Sequence, residues 1–169
     1  MSLEQHRDAS PQRLRFAVIT ISDTRDASTD RGGPYLVASV EGAGHLVTRR
    51  ALVKDERDDI WGAVSAAVGD PEVDLVLTTG GTGIAPRDVT FDTLRAHLDS
   101  EIPGFGELFR WLSYREIGAA TILSRALGGV SCGKVVLALP GSPKALALAL
   151  NEIVLKEAGH LVSQARPRQ

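Results

Sequence analysis

The sequence predicts a three-layer α/β/α sandwich built on a central, mostly parallel sheet. Three observations carry that expectation. Apolar, β-branched runs recur at residues 15–21 (RFAVITI), 75–79 (LVLTT) and 134–139 (KVVLAL). Each reads as a strand, and the first has the nearly all-apolar pattern of one buried on both faces, as in a parallel sheet. Helical patterns separate these runs, and strand-then-helix order places helices on both faces of the sheet. A glycine-rich segment follows the 75–79 run directly. Folds of this kind hold ligands there, outside the carboxyl ends of the strands.

Residues 1–13 and 164–169 are expected to be mobile tails around a single domain over residues 14–163. After the first strand, the polar loop from Ser22 to Arg31 leads to Gly32, Gly33 and Pro34, which open a helix to about Glu41. Gly42 and Gly44 flank its end. Residues 45–53 read as a second strand. Residues 55–68 read as a helix with Ile60, Trp61, Val64, Ala67 and Val68 on one face. The third strand, residues 75–79, runs into the glycine segment, and a helical pattern follows at residues 91–98. Residues 101–107 look irregular, ahead of Leu108, Phe109 and Leu112 at helical spacing. Residues 118–125 are ambiguous. Residues 128–135 nearly match a P-loop but lack its final Ser or Thr and precede a strand instead of a helix. Cys132 is therefore assigned to a turn and Lys134 to the start of the next strand. The final helix is expected over residues 145–163.

Composition narrows the function. The chain has 169 residues, 43% apolar and 24% charged, as a soluble globular protein does. A formal charge of −2 gives no electrostatic reason to propose a nucleic acid partner. A single cysteine excludes a disulfide framework within one chain, and the four histidines show no metal-ligand spacing. The N-terminus lacks the apolar segment of a signal peptide, and no apolar run is long enough to span a bilayer. The expectation is a cytoplasmic protein with no membrane partner.

The chemistry is expected in the loops after the first, third and last strands, which should converge on one pocket. In residues 78–90 (TTGGTGIAPRDVT), Gly80, Gly81 and Gly83 let backbone amides approach an anion, and Thr82 adds a hydroxyl. Asp88 supplies a carboxylate that could hold a metal ion beside phosphates. The spacing does not fit a dinucleotide fingerprint. Gly141, Ser142 and Lys144 form a second candidate, with Ser142 readable as a helix N-cap or as a phosphate contact. Asp55 reads either as an N-cap on a charged first turn or as a functional carboxylate.

Together the motifs resemble the MogA/MoaB family of molybdenum cofactor biosynthesis proteins. The resemblance rests on residues 20–23 (TISD), 78–83 (TTGGTG), 87–90 (RDVT), 103–107 (PGFGE), 123–126 (LSRA) and 139–144 (LPGSPK). It implies a molybdopterin adenylyltransferase, which transfers AMP from MgATP to molybdopterin and releases pyrophosphate. The family's two functional aspartates map onto Asp55 and Asp88, with magnesium at Asp88 and Asp55. Gly80, Gly81, Thr82, Gly83, Gly141, Ser142 and Lys144 then serve nucleotide phosphates. Ser22, Asp23, Ser124 and Arg125 are the molybdopterin-side candidates. Residues 109–118 are most similar to the MoaB branch, implying a trimer-based homo-oligomer, a hexamer in that branch, with Leu108, Trp111, Leu112 and Tyr114 near a subunit contact. Molybdate insertion would fall to a separate partner protein. The alternative is a catalytically silent molybdopterin-binding or assembly protein of the same pathway.

Overall fold

A computed structural model of the chain describes residues 10–166. The first half alternates strictly: β1 (Arg15–Ile21), α1 (Gly32–Gly42), β2 (Leu46–Val53), α2 (Arg57–Val68), β3 (Leu75–Thr79) and α3 (Thr90–Arg95). The second half contains β4 (Ser100–Glu101), α4 (Pro103–Ile117), a 3-10 turn (Gly118–Leu123), β5 (Leu127–Ser131) and β6 (Lys134–Leu139). It ends in α5 (Pro143–Ala149), a π turn (Leu150–Val154) and α6 (Leu155–Ala165). The six strands form one sheet in the order β2-β1-β3-β6-β5-β4. The β2, β1, β3 and β6 strands run parallel, and β5 is antiparallel to both its neighbours.

Side-chain alternation along the strands builds two cores. Phe16, Val18, Leu75, Leu77, Val135, Leu137 and Leu139 face one way, against α1, α4, α5 and α6. Ala17, Ile19, Ile21, Val76, Val136 and Ala138 face the other way, against α2 and α3. The chain is therefore the expected three-layer sandwich. The register pairs Thr20 with Thr79 and Thr79 with Leu139, so β1, β3 and β6 end side by side. Among the described residues no helix is long and apolar enough to cross a membrane.

Several local expectations need correction. The α4 helix starts at Pro103, not near Leu108, because proline is pre-organised for the first helical turn. Strand β5 was not expected at all. Its Gly128 and Gly129 suit a strand poorly, but a Cβ at Gly128 would come within 2.8 Å of Phe105, and one at Gly129 would meet Leu98. The neighbours' side chains supply the packing that the glycines lack. Cys132 (φ 51°) and Gly133 (φ 70°) form the two-residue turn between β5 and β6, where positive φ matches the twist of a hairpin. The C-terminal helix begins at Pro143 and is widened by the π turn before α6. Asp55 is not in α2, whose N-cap position is Glu56.

Most of the two expected tails falls where nothing is described. Residues 1–9 and 167–169 lie outside the described residues. Among the described residues, Ser10 is 7% exposed, a Cβ at Gly159 would meet the Pro11 carbonyl oxygen, and α6 reaches Ala165. Asp74, 5% exposed, ties these ends together. It accepts hydrogen bonds from the Arg15 amide (2.9 Å), from Arg15 Nε (3.1 Å) and Nη2 (3.0 Å), and from Arg166 Nη2 (2.9 Å). Burial alone would raise its carboxyl pKa, but the Arg15 hydrogen bonds outweigh it, and the net effect lowers it below the ordinary value.

Asp74→Asn should lower stability by about 2–4 kcal/mol at neutral pH, because it leaves Arg15 facing a neutral partner. A depressed carboxyl contributes stability above its unfolded pKa, and that stability is lost as pH falls through the folded value. The melting-temperature gap between wild type and variant should therefore be full at neutral pH and shrink below about pH 4. A gap that stays constant into acid would contradict the assignment.

Candidate functional site

The loop after β3 is set by close backbone approach. Gly80 (φ 109°) lies directly against the Ile21 carbonyl oxygen at the end of β1, so no side chain fits there. Its amide donates to the Leu139 carbonyl at the end of β6 (3.2 Å). Gly81 (φ 64°) faces the Thr90 hydroxyl and Asp55, and a Cβ there would lie 2.5 Å from Asp55 Oδ1. The carbonyls of the loop are occupied. Gly81 O accepts from the Thr90 amide (3.1 Å), Thr82 O from the Arg125 amide (3.3 Å), and Gly83 O from Arg125 Nε (2.8 Å) and Nη2 (2.6 Å). The amides of Gly81, Thr82, Gly83 and Ile84 have no protein acceptor among the described residues. Four consecutive amides without an acceptor, directly after a strand, leave this loop with donors that an anion could take.

Two carboxylates flank this loop. Asp88 Oδ2 accepts from the Ala85 amide (3.0 Å), and a Cβ at Gly83 would lie 2.6 Å from it. Asp88 thus folds the loop and is not the cap of α3, whose N-cap is Val89. Asp55 sits in the β2–α2 loop, in a reciprocal clasp with Asp23. The Asp23 amide donates to Asp55 Oδ2, and the Asp55 amide donates to Asp23 Oδ1, both at 3.1 Å. The other oxygen, Asp55 Oδ1, is buried without a partner, as is the Thr90 hydroxyl. Burial raises the Asp55 carboxyl pKa, and the nearby negative charges of Asp23 and Asp88 add to the rise. Arg87 neutralises the outer side. Its Nε and Nη2 donate to Asp23 Oδ2 (3.0 and 2.6 Å), and its Nη1 donates to Glu56 (2.9 Å). Hydrogen bonding to Arg87 is the main reason the Asp23 carboxyl is held low.

A cavity of about 450 Å3 opens beside the loop. One wall is polar: Gly80, Gly81, Thr82, Gly83, Asp88 and Ser124, with Gly141 and Ser142 from the β6–α5 turn. The other wall includes Phe109, Ile117 and Leu123 from α4 and the 3-10 turn. Ser142 caps α5, accepting from the Ala145 amide (3.3 Å), and still borders the cavity. The Ser124 hydroxyl is buried without a partner. No group of three His, Cys, Asp or Glu side chains among the described residues could hold a metal ion unaided. One or two carboxylates completed by phosphate oxygens is the arrangement magnesium favours; Asp88 borders the cavity and could supply one, while the orphaned Asp55 oxygen lies behind Gly81.

The expected site residues divide into two groups. The glycine loop, Asp88, Ser124, Gly141 and Ser142 meet at one cavity. Ser22, Asp23, Asp55, Lys144 and Arg125 do not border it, so the loop after β1 does not share the crevice as expected. Ser22 lines a separate groove with Arg25, Asp26, Lys54 and Asp59. Asp23 and Asp55 pair behind Gly81. Lys144 faces another groove with Glu116, Asn151 and Glu152. It lies two residues past Ser142, and two helical steps turn its side chain well around the axis. Sequence reasoning missed the apolar wall and Thr90. Phe109, Ser113 and Ile117 follow an i, i+4, i+8 row that could have revealed the wall, and Phe109 belongs at the same time to the buried core.

This architecture has known counterparts. The molybdenum cofactor biosynthesis protein B of Halalkalibacterium halodurans is 46% identical over 165 residues, covering 97% of each chain. A crystal structure of a molybdenum cofactor biosynthesis protein B superposes with a TM-score of 0.89 at 48% identity, over 92% of this chain and 98% of the other. The tungsten cofactor synthesizing protein MoaB of Pyrococcus furiosus superposes with a TM-score of 0.84 at 35% identity, over 94% and 100%. The family model described as a probable molybdopterin binding domain matches residues 17–160, and the chain belongs to that family of molybdenum cofactor biosynthesis proteins.

Proposed function

We propose that this chain binds molybdopterin and transfers the adenylyl group of MgATP to its terminal phosphate. An oxygen of the molybdopterin phosphate attacks the α-phosphorus, the bond from that phosphorus to the bridging β-phosphate oxygen breaks, and pyrophosphate leaves. No protein nucleophile is required, so positioning and electrostatics carry the catalysis. The observation that carries this reading is the run of unpaired amides from Gly81 to Ile84 beside two carboxylates. Gly80, Gly81, Thr82 and Gly83 would hold the ATP phosphates, with Gly141 and Ser142 across the cavity. The apolar wall of Phe109, Ile117 and Leu123 suits a planar pterin, and the orphaned Ser124 hydroxyl suits its polar edge or phosphate.

The charges favour a nucleotide that arrives with its metal. Asp55 and Asp88 would repel bare ATP. When bound, magnesium would neutralise phosphate charge and act as a Lewis acid, held by Asp88 and Asp55. One observation favours a binding protein without chemistry: Asp55 lies behind the glycine loop and does not border the cavity. Incubation with molybdopterin and MgATP separates the readings. Pyrophosphate and adenylylated molybdopterin are expected. Molybdopterin binding with no pyrophosphate would leave only the binding role.

We also propose that a second copy of the chain covers α4. Leu108, Trp111, Tyr114 and Ile117 lie at i, i+3 spacing and are 42–61% exposed, while Leu112 turns inward against the core. The 3-10 turn adds Ile122, 78% exposed. These exposed apolar side chains form an oblique ridge along α4, with the Arg115 guanidinium stacked on Trp111, and exposed apolar clusters of this kind support an interface reading.

Asp88→Asn should keep the fold, since the amide oxygen still accepts from Ala85, but should slow adenylyl transfer by about 10²-fold or more. The check is a rate and a melting temperature measured together, with an unchanged rate defeating the metal assignment. Trp111→Glu combined with Tyr114→Glu should dissociate a trimer-based assembly, more specifically a hexamer, into smaller species. Light scattering at micromolar concentration reads this directly, and a wild-type monomer would refute the interface.

A further inference from the structure

We infer that Arg125 is a positioning residue that builds the anion-binding face of the glycine loop and does not itself touch substrate. The resemblance placed it among the molybdopterin contacts. Its hydrogen bonds point elsewhere. Nε and Nη2 donate to Gly83 O (2.8 and 2.6 Å), Nη2 also to Asp88 O (2.7 Å), and Nη1 to Asp92 Oδ2 (2.9 Å). Its backbone amide donates to Thr82 O. The guanidinium lies 5.0 Å from the centroid of the Phe91 ring, which fixes its plane, and it does not line the cavity.

The consequence follows from peptide geometry. In a trans peptide the C=O of one residue points opposite to the N–H of the next. Holding the Thr82 and Gly83 carbonyls toward Arg125 therefore turns the Gly83 and Ile84 amides away from it. Those are two of the four amides without a protein acceptor. The same fork grips Asp88 O, so one side chain fixes both the amides and the backbone that carries the Asp88 carboxylate. A planar guanidinium with several fixed donors can satisfy three carbonyl and carboxylate acceptors at once, whereas a lysine ammonium cannot match that geometry.

The inference rests on the phosphate reading of the loop, and the test keeps the two separable. Inorganic pyrophosphate affinity would be measured by calorimetry for wild type, Arg125→Lys and Arg125→Ala. Amide exchange would be followed at Ala85, Asp88 and Thr90, whose amides hold the folded loop together. Both variants should lose about tenfold or more in affinity, and lysine should not rescue. Both should also exchange faster at those three amides. Affinity retained in Arg125→Lys but lost in Arg125→Ala, with exchange unchanged, would make Arg125 a direct charge contact and overturn the inference. Wild type that binds no pyrophosphate would overturn the phosphate reading, while the exchange rates still decide the brace. Should Arg125→Ala fail to fold, Asp92→Ala serves as the second variant. It removes a partner outside the cavity and should speed exchange at the same amides to a smaller degree, and no change there would count against the brace.

Discussion

A loop can offer its amides to a ligand only if its carbonyls are satisfied by something else. Between Gly81 and Gly83 that condition is met by Thr90 and Arg125, which take three successive carbonyl oxygens. The fold supplies both donors at the right place. The Thr90 amide belongs to the first residue of α3, and Arg125 follows the 3-10 turn that leads into β5. The glycine loop is therefore held from its far side by α3 and by the approach to β5, with its near side left open. Parallel pairing of β1, β3 and β6 then sets where that open side faces, because the three strands end in register.

The carboxylates around the loop pose an electrostatic problem that the structure solves unevenly. Asp23 carries its charge cheaply because Arg87 is bonded to it. Asp55 is half-buried, with Asp23 and Asp88 nearby, and one of its oxygens has no donor. Burying a polar atom without a partner costs about 1–3 kcal/mol, so the orphaned Asp55 oxygen is a place where a water or a bound ion would restore the balance. The Asp23 clasp keeps that oxygen in a fixed position despite the cost.

Much of this was legible in the sequence, for reasons tied to particular residues. Strands β1, β3 and β6 are continuous apolar runs, so their existence and parallel order followed from pattern. The glycine loop was legible because three glycines beside a strand end have few uses other than close backbone approach. Strand β5 was not legible, because Gly128 and Gly129 erase the strand pattern and the side chains that compensate, Phe105 and Leu98, lie elsewhere in the chain. The hydrogen bonds of Arg125 were illegible for a similar reason. An arginine near a phosphate site reads as an anion contact, and nothing in its spacing reveals that carbonyls some 40 residues earlier already claim it. The placement of Lys144 depended on helical rotation, which a motif written as a string does not convey.

The two margins of the sheet have a consequence for assembly. On one side β4 is two residues long and is followed within two residues by Pro103, which has no amide to donate. On the other, β2 carries Arg49 and Arg50, paired with Asp70 and Asp30. Neither margin offers a long, uncharged row of backbone groups, so strand addition from another molecule is disfavoured at both ends. A contact between copies would therefore have to use the helical surfaces, and the sheet itself is closed to growth.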